Sequence, residues 1–282
     1  MNINSNNLFI SIIFNKIMPK YQKFLIVASK LDKAGINITT QLSQFGQFKF
    51  YLVDKEIIYT ENLDMEKINQ HDFIIFASKH KSESKEKTLS VHAPGNWRLA
   101  ELGGEKNLVC KSSALFMKHI FGKLNESFSK HGLGDYKVTM EATHHGPLIE
   151  KPCLFIEIGS TEAEWTNSRA GFVVAKAISD SISDFQENQY HEVAIAIGGP
   201  HYCPSFNSIQ LKSNVAISHV IPQYSFPLME EMVAEAVRKT EEEIDFALLD
   251  WKGLGNTEQR QRIISILDKL YINYKKTSDI SK

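Results

Sequence analysis

The residues best suited to chemistry lie at three strand ends near the middle of the chain. Cys153–Trp165 reads CLFIEIGSTEAEW, an apolar run that empties into a loop of Gly, Ser, Thr and Glu. Upstream, Glu141–Pro147 reads EATHHGP, and downstream, Gly198–Phe206 reads GGPHYCPSF. Ligands of open α/β sheets bind in the crevice beyond the carboxyl ends of strands. The position of greatest interest is Glu157, which interrupts the apolar run. By period two it shares a face with Cys153, Phe155 and Gly159. A carboxylate on a covered face is costly unless it is paired, metal-bound or at the mouth of a cleft. The plainer reading is a strand-end Glu bonded to a neighbouring loop.

His144 and His145 are adjacent, so in extended backbone they point to opposite sides unless the Gly146-Pro147 turn bends the chain. Thr143 is a hydroxyl ligand, a proton relay or a turn residue. His201 follows Gly198-Gly199-Pro200, where small residues let a substrate approach the backbone. Cys203 completes an H-x-C pair, which alone is a weak zinc signal. His80 and His92 follow other strands, whereas His219 shares its face with Val215, Ile217 and Ile221 and reads as a core histidine. Glu162 and Glu164 open a helix, where the dipole favours carboxylates; Glu164 also completes a T-x-x-E capping box with Thr161. No nucleophile elbow, H-E-x-x-H helix, phosphate loop or dinucleotide turn occurs. What remains suits metal-assisted hydrolysis and metal-free acid–base work by histidine equally well.

The elements that must position these groups follow from apolar patterning. Lys23–Ala28, Asp72–Ser78, Cys153–Ile158, Val193–Ile197, Asn214–Ile221 and Asp245–Leu249 read as buried strands. Helices are predicted from Ile38 to about Phe45, from a Ser112 cap to about His131 with Gly132 and Gly134 as the stop, from Thr161, over 227–243 and over 257–271. Phe48–Val53 and Glu56–Tyr59 suggest a hairpin, though Asp54-Lys55 lacks the favoured Gly. Strands alternating with helices over the whole length predict a three-layer α/β/α fold. One domain over 21–275 is expected, after an N-terminal extension, 1–20, expected to be poorly ordered, and before a tail, 276–282.

At 282 residues, 43% hydrophobic and 23% charged, the composition is that of a globular protein. A formal net charge of -1 confines any nucleic-acid binding to a local patch. Three cysteines without CxxC spacing fit free thiols in a reducing, cytoplasmic setting. No apolar run is long enough to span a membrane, and a monomer is the default expectation.

A set of motifs then points to one family. LIVASKLDKAGINI, SKH, TLSVHAPGNW, ELGG, EATHHGP, IEIGSTEAEW, AIGGPHYCPSF, ISHVIPQY and LLDWKGL follow one another from about Lys23 to about Leu270. Together they resemble the archaeal-type D-aminoacyl-tRNA deacylases, which have relatives in plants. The resemblance implies hydrolysis of the ester joining a D-amino acid to the 3′ end of tRNA. It also implies zinc as cofactor, and a mixed sheet similar to phosphorylase/hydrolase-like and peptidyl-tRNA hydrolase folds. Carried onto this chain, it suggests His92, His144, Glu162 and His201 as metal ligands and His145, Glu157 and Thr143 as catalytic groups. Lys79, His80, Asn96, Trp97, Gly199 and Tyr202 would meet the substrate. Lys79 stands where the family usually has arginine, which keeps the charge but loses the bidentate fork. Trp97 and Tyr202 are candidates to stack the terminal adenine. Lys81, Lys85, Lys87, Lys252, Arg260 and Arg262 are the other basic residues available to steer tRNA. Two other readings stay open: a metal-independent peptidyl-tRNA or aminoacyl ester hydrolase, and a non-catalytic protein that binds the tRNA end.

Overall fold

Three apolar runs build the centre of the molecule, a computed structural model that describes residues 21–61, 63, 65–187 and 191–281. The expected N-terminal extension lies outside the described residues. β1 (Phe24–Ser29), β3 (Phe73–Lys81) and β6 (Cys153–Ser160) are buried along nearly all their length, as in strands covered on both faces. They pair in parallel. β2 (Phe50–Val53), β4 (Thr88–His92) and β5 (Lys137–Met140) complete a six-stranded sheet of order β2-β1-β3-β6-β4-β5. Because β4 runs antiparallel to β6 and parallel to β5, the sheet is mixed. A second sheet of four parallel strands has the order β10-β9-β7-β8, from β7 (Glu192–Ile197), β8 (Val215–Ile221), β9 (Phe246–Leu249) and β10 (Tyr274–Lys276).

The two sheets share one helix layer. Phe116, Ile120 and Leu124 of α3 (Ala114–His131) lie in one apolar cluster with Ile26 and Ile75 of the first sheet and Ala194 and Ile217 of the second. α1 (Lys33–Leu42) and α5 (Ser168–Asp184) add Ile38, Leu42, Val173 and Ile178 to the same cluster. The opposite face of the second sheet, Ile195, Ile197, Ala247 and Leu249, packs on α7 (Glu230–Arg238) and α8 (Thr257–Lys269). The alternation of Ala194 and Ala196 with Ile195 and Ile197 between these cores is the two-residue period of a strand. Among the described residues no helix is long and apolar enough to cross a membrane.

Local signals decided most boundaries. Ser113, one residue after the expected cap, accepts the Phe116 N–H, and Gly132 with φ 54° ends α3. Asp32 starts α1 earlier than the apolar pattern suggests, accepting the N–H groups of Ala34 and Gly35. The helix expected from Thr161 is two, α4 (Glu162–Trp165) and α5, because the Asn167 side chain caps a fresh start. The expected hairpin does not form: β2 pairs with β1 in parallel, and Ile57–Tyr59 is a 3-10 turn, ahead of the short α2 (Met65–Asn69). Asp54-Lys55 lacks the glycine that a tight hairpin turn wants.

Lys118 in α3 ties the helix layer to the second sheet. Its ammonium donates to the carbonyls of Gln210, Ser213 and Val215, at the end of α6 (Pro204–Lys212) and the start of β8. Burial pulls its pKa down to about 8. Lys118→Met is expected to lower unfolding stability by roughly 2 kcal/mol, since it strands carbonyls that a charged donor now satisfies. Chemical denaturation measures it; an unchanged midpoint would show that water replaces the ammonium without cost.

Candidate functional site

Glu157 in β6 stands between Ser78 of β3 and Ser90 of β4. The face it shares with Cys153 and Phe155 belongs to one apolar cluster, while Leu154, Ile156 and Ile158 belong to another, so period two places Glu157 as expected. Phe155 stacks on the ring of His92, 5.2 Å between centroids, and meets His145 edge-on at 4.8 Å. Beyond that ring the face turns polar. Glu157 Oε2 lies 3.5 Å from His92 Nε2 and 3.7 Å from His80 Nδ1, and its Oε1 lies 4.0 Å from His145 Nε2. His80 crosses β6 at Gly159, where a Cβ would come within 2.8 Å of the imidazole.

A second buried carboxylate, Glu141, follows β5 directly. Its Oε1 lies 3.2 Å from His80 Nδ1, and its Oε2 lies 3.2 Å from His201 Nε2 and 3.5 Å from His144 Nε2. The loop that follows crosses to the second sheet: the Ala142 N–H donates to His201 O and the Thr143 N–H to Val220 O. The site therefore sits where the two sheets meet. His145 has φ 45°, a left-handed backbone uncommon for a side chain of this kind. That departure from extended geometry brings both adjacent rings to the same cavity, with centroids 4.3 Å apart. Period two does not apply to a left-handed residue.

Hydrogen bonds behind three rings settle which nitrogens face inward. His92, His144 and His145 each present Nδ1 to a backbone carbonyl, those of Ala93, Ala142 and Gly146. In His144 and His145, with the proton on Nδ1 to match, the Nε2 lone pair points toward the carboxylates, and His92 turns its Nε2 the same way, an arrangement that orients histidines as ligands. His92 Nε2, Glu141 Oε1 and both oxygens of Glu157 are buried without an aligned hydrogen-bond partner. Acceptors facing acceptors leave a place for a cation. Three groups have donor atoms within 4.8 Å of one another: His92, His144 and His145; His80, Glu141 and His201; and His92, Glu141 and Glu157. These residues could hold a metal ion, and the orphaned buried atoms fit one.

Charge is divided unevenly within the cluster. Burial opposes a charge on His80, but Glu141 and Glu157 outweigh it and raise its pKa to about 11. His92 shifts upward for the same reason, against complete burial. Burial acts to raise Glu157, yet His80 and His92 hold it down at about 2; Glu141 is likewise held well below its ordinary value by His201 and His80. Burial, then the neighbouring His92, pushes His144 down strongly and His145 to about 4. Near neutral pH both carboxylates are ionised and this histidine pair is neutral.

A cavity of about 410 Å³ opens above the cluster, lined by His80, His144, His145, Glu157 and His201 together with Asp32, Ser78, Lys79 and several apolar residues. Tyr202 Oη meets His80 Nε2 at 2.9 Å, and Tyr224 Oη meets His201 Nδ1 at 3.2 Å. Lys79 lies 3.3 Å from Glu56.

Several expectations need correction or relocation. Glu162 stands apart: its side chain is 66% exposed and ion-paired with Lys33, and it joins no group of ligand atoms. A helix-start carboxylate faces solvent here. Trp97 is buried, donating from Nε1 to Val220 O and packing edge-on against His219, so no base can stack on it. Thr143 accepts the Val220 N–H in the core, which ties the histidine loop to β8. Gly199 does not line the cavity; φ 78° and an Asp250 oxygen 3.0 Å from where a Cβ would sit account for its glycine. Asn96 works one step back, donating to Gly103 O in the loop beside Gly146. His219 is buried, as its strand face predicts.

Glu141 and Asp32 are the residues that sequence reasoning passed over. Glu141 could have been suspected as the first polar residue after an apolar strand end. Asp32 bonds Ser78 Oγ and the Lys79 N–H with one oxygen and the start of α1 with the other; its signal is an Asp just before a helix. Glu164 accepts the Thr161 N–H, the expected capping role. Glu162→Gln is accordingly expected to keep activity within about twofold of wild type, in line with exposed substitutions away from a site. A hundredfold loss in a turnover assay would return Glu162 to the site.

Comparison with known proteins identifies the family. The family model described as D-aminoacyl-tRNA deacylase matches residues 67–275. A D-aminoacyl-tRNA deacylase of Thermococcus onnurineus is 34% identical over 275 residues, covering 89% of this chain and 98% of that protein. Those of Methanocaldococcus jannaschii and Archaeoglobus fulgidus are 33% and 35% identical, over 86% and 84% of this chain and 94% and 90% of theirs. A crystal structure of a conserved protein of unknown function superposes with a TM-score of 0.84 at 30% identity, over 94% of this chain and 100% of the other. Similarity of this extent, running through every loop that carries the histidines and carboxylates, means that the chain belongs to the D-aminoacyl-tRNA deacylase family.

Proposed function

We propose that this protein hydrolyses the ester bond between a D-amino acid and the 3′ end of tRNA, with the His/Glu cluster as its reaction centre. The observation that carries the reading is the meeting of two ionised, buried carboxylates with inward-facing histidine nitrogens at the base of one cavity, in a member of this family. Imidazole nitrogens and carboxylate oxygens suit zinc, which when bound lowers the pKa of water and polarises an ester carbonyl. His92, His144 and His145, with Glu157 beside them, would hold it.

The chain's own residues supply the rest. Glu157, ionised and facing His145 across 4.0 Å, accepts a proton from the attacking water. Water oxygen bonds to the carbonyl carbon, the ester C–O bond breaks, and the proton ends on the ribose 3′ oxygen. With His145 Nδ1 bonded to the Gly146 carbonyl and its Nε2 among the metal-holding atoms, Glu157 itself returns that proton to the leaving oxygen. Glu141 positions His201, His80 and His144 from behind. Lys79 and Lys81 in β3 line the same cavity and would meet phosphates of the tRNA end, with binding that weakens as salt rises.

The test is a deacylation assay on D-Tyr-tRNA and L-Tyr-tRNA. Rapid loss of the D form with the L form spared is the expected result. Equal cleavage of both would overturn the stereospecific reading, and cleavage of neither would overturn the activity.

A further inference from the structure

Part of the cavity wall is apolar. Leu31, Ile57, Ile58, Tyr59 and Leu102 line it together with the histidines and carboxylates. Leu31 is 61% exposed, Leu102 51% and Tyr59 41%, three of the ten large hydrophobic residues left exposed among the described residues. Single exposed hydrophobics are ordinary; three on one cavity wall leave apolar surface that an occupant would cover. The wall is also preformed. Leu102 O accepts the Gly146 N–H at 2.9 Å, next to His145. The following Gly103 packs so tightly on the Ile58 carbonyl that a Cβ would lie 1.7 Å from its oxygen. Ile57 is buried in the core beneath, and Ile58 packs against the same cluster. Leu102 is therefore pinned between the histidine loop and the Ile57–Tyr59 turn.

We infer that this wall is the subsite for the side chain of the substrate's amino acid, and that it favours bulky apolar or aromatic residues, with Leu31 and Leu102 as specificity-determining positions. The inference rests on the proposed deacylase activity. With the ester carbonyl at Glu157 and His145, the amino-acid side chain needs uncharged lining nearby, and these residues are the apolar part of the same cavity. Tyr59 offers one flat ring, but the two most exposed residues of this wall, Leu31 and Leu102, are branched aliphatics and make a poor platform for a nucleobase, which stacks best on aromatic rings. The leucines suit an alkyl or aryl group, whose discrimination in such pockets runs about ten- to two-hundredfold per group.

The experiment compares kcat/KM for D-Tyr-tRNA and D-Ala-tRNA in wild type, in the double variant Leu31→Ser/Leu102→Ser and in Leu102→Met. The ratio of the two substrates is expected to fall at least tenfold in the serine variant and to stay within about twofold in Leu102→Met, which keeps apolar volume. Inhibition by uncharged tRNA should be the same for all three proteins. Equal loss on both substrates, or weaker inhibition by uncharged tRNA in the serine variant, would assign the wall to the terminal adenosine and overturn the inference. An unchanged ratio overturns it too. A wild type inert on both substrates would instead bring down the deacylase reading itself. Both serine positions are at least half exposed, so the fold survives the change, and matched melting curves check that it does.

Discussion

Glu157→Gln is expected to lower kcat by about 10²–10⁴-fold, the usual share of a positioned acid–base group, while the protein still folds. The isosteric amide keeps the shape of β6 but can neither take a proton nor hold the charge that faces His80, His92 and His145. Stability changes with it. Against burial, His80 and His92 hold Glu157 at about 2, so its charge is favoured in the folded chain, and near neutral pH the Gln variant should melt lower than wild type. Turnover is therefore read well below the variant's melting point, where both proteins are folded. Single-turnover rates and thermal melts read the two effects. Full turnover in the variant would remove Glu157 from the reaction, and an unchanged melting point would show that the histidines do not hold its charge.

Removal of metal is expected to be as damaging. Treatment with a chelator should abolish D-Tyr-tRNA hydrolysis, and added zinc should restore it. The physical ground is the set of facing acceptors: three Nε2 atoms oriented by backbone carbonyls toward two ionised carboxylates. The same treatment should lower the melting temperature, since an ion that binds only the folded chain stabilises it in proportion to the logarithm of its excess over Kd. Activity and melting temperature both indifferent to chelation would favour metal-free acid–base hydrolysis by His145 and Glu157. In that case the orphaned acceptors are bridged by water.

Part of the site is legible in the amino-acid sequence. Period two alone puts Glu157 beside Cys153 and Phe155, and a capping box alone withdraws Glu164 from the chemistry. His92, His144, His145 and His201 follow from histidines gathered at strand ends, and all of them reach the cluster. Glu162 and Trp97 depart from expectation for a shared cause. Both sit in motifs as rich as those of the true cluster, but exposure and burial are settled by what packs on them: Lys33 on one, Val220 and His219 on the other.

What this sequence determined by itself is therefore local: the strands and helices, their covered faces, their caps and stops, and the family to which its motifs belong. These depend on backbone period and on contacts within a few residues, which neighbouring letters record. Tertiary structure alone decided that β4 enters the first sheet antiparallel to β6, setting His92 beside Phe155. It also decided that Glu141 lies between His80 and His201, and that a left-handed His145 turns two adjacent rings into one cavity. Those placements join segments dozens of residues apart across two sheets, and no local pattern carries the register of such pairing.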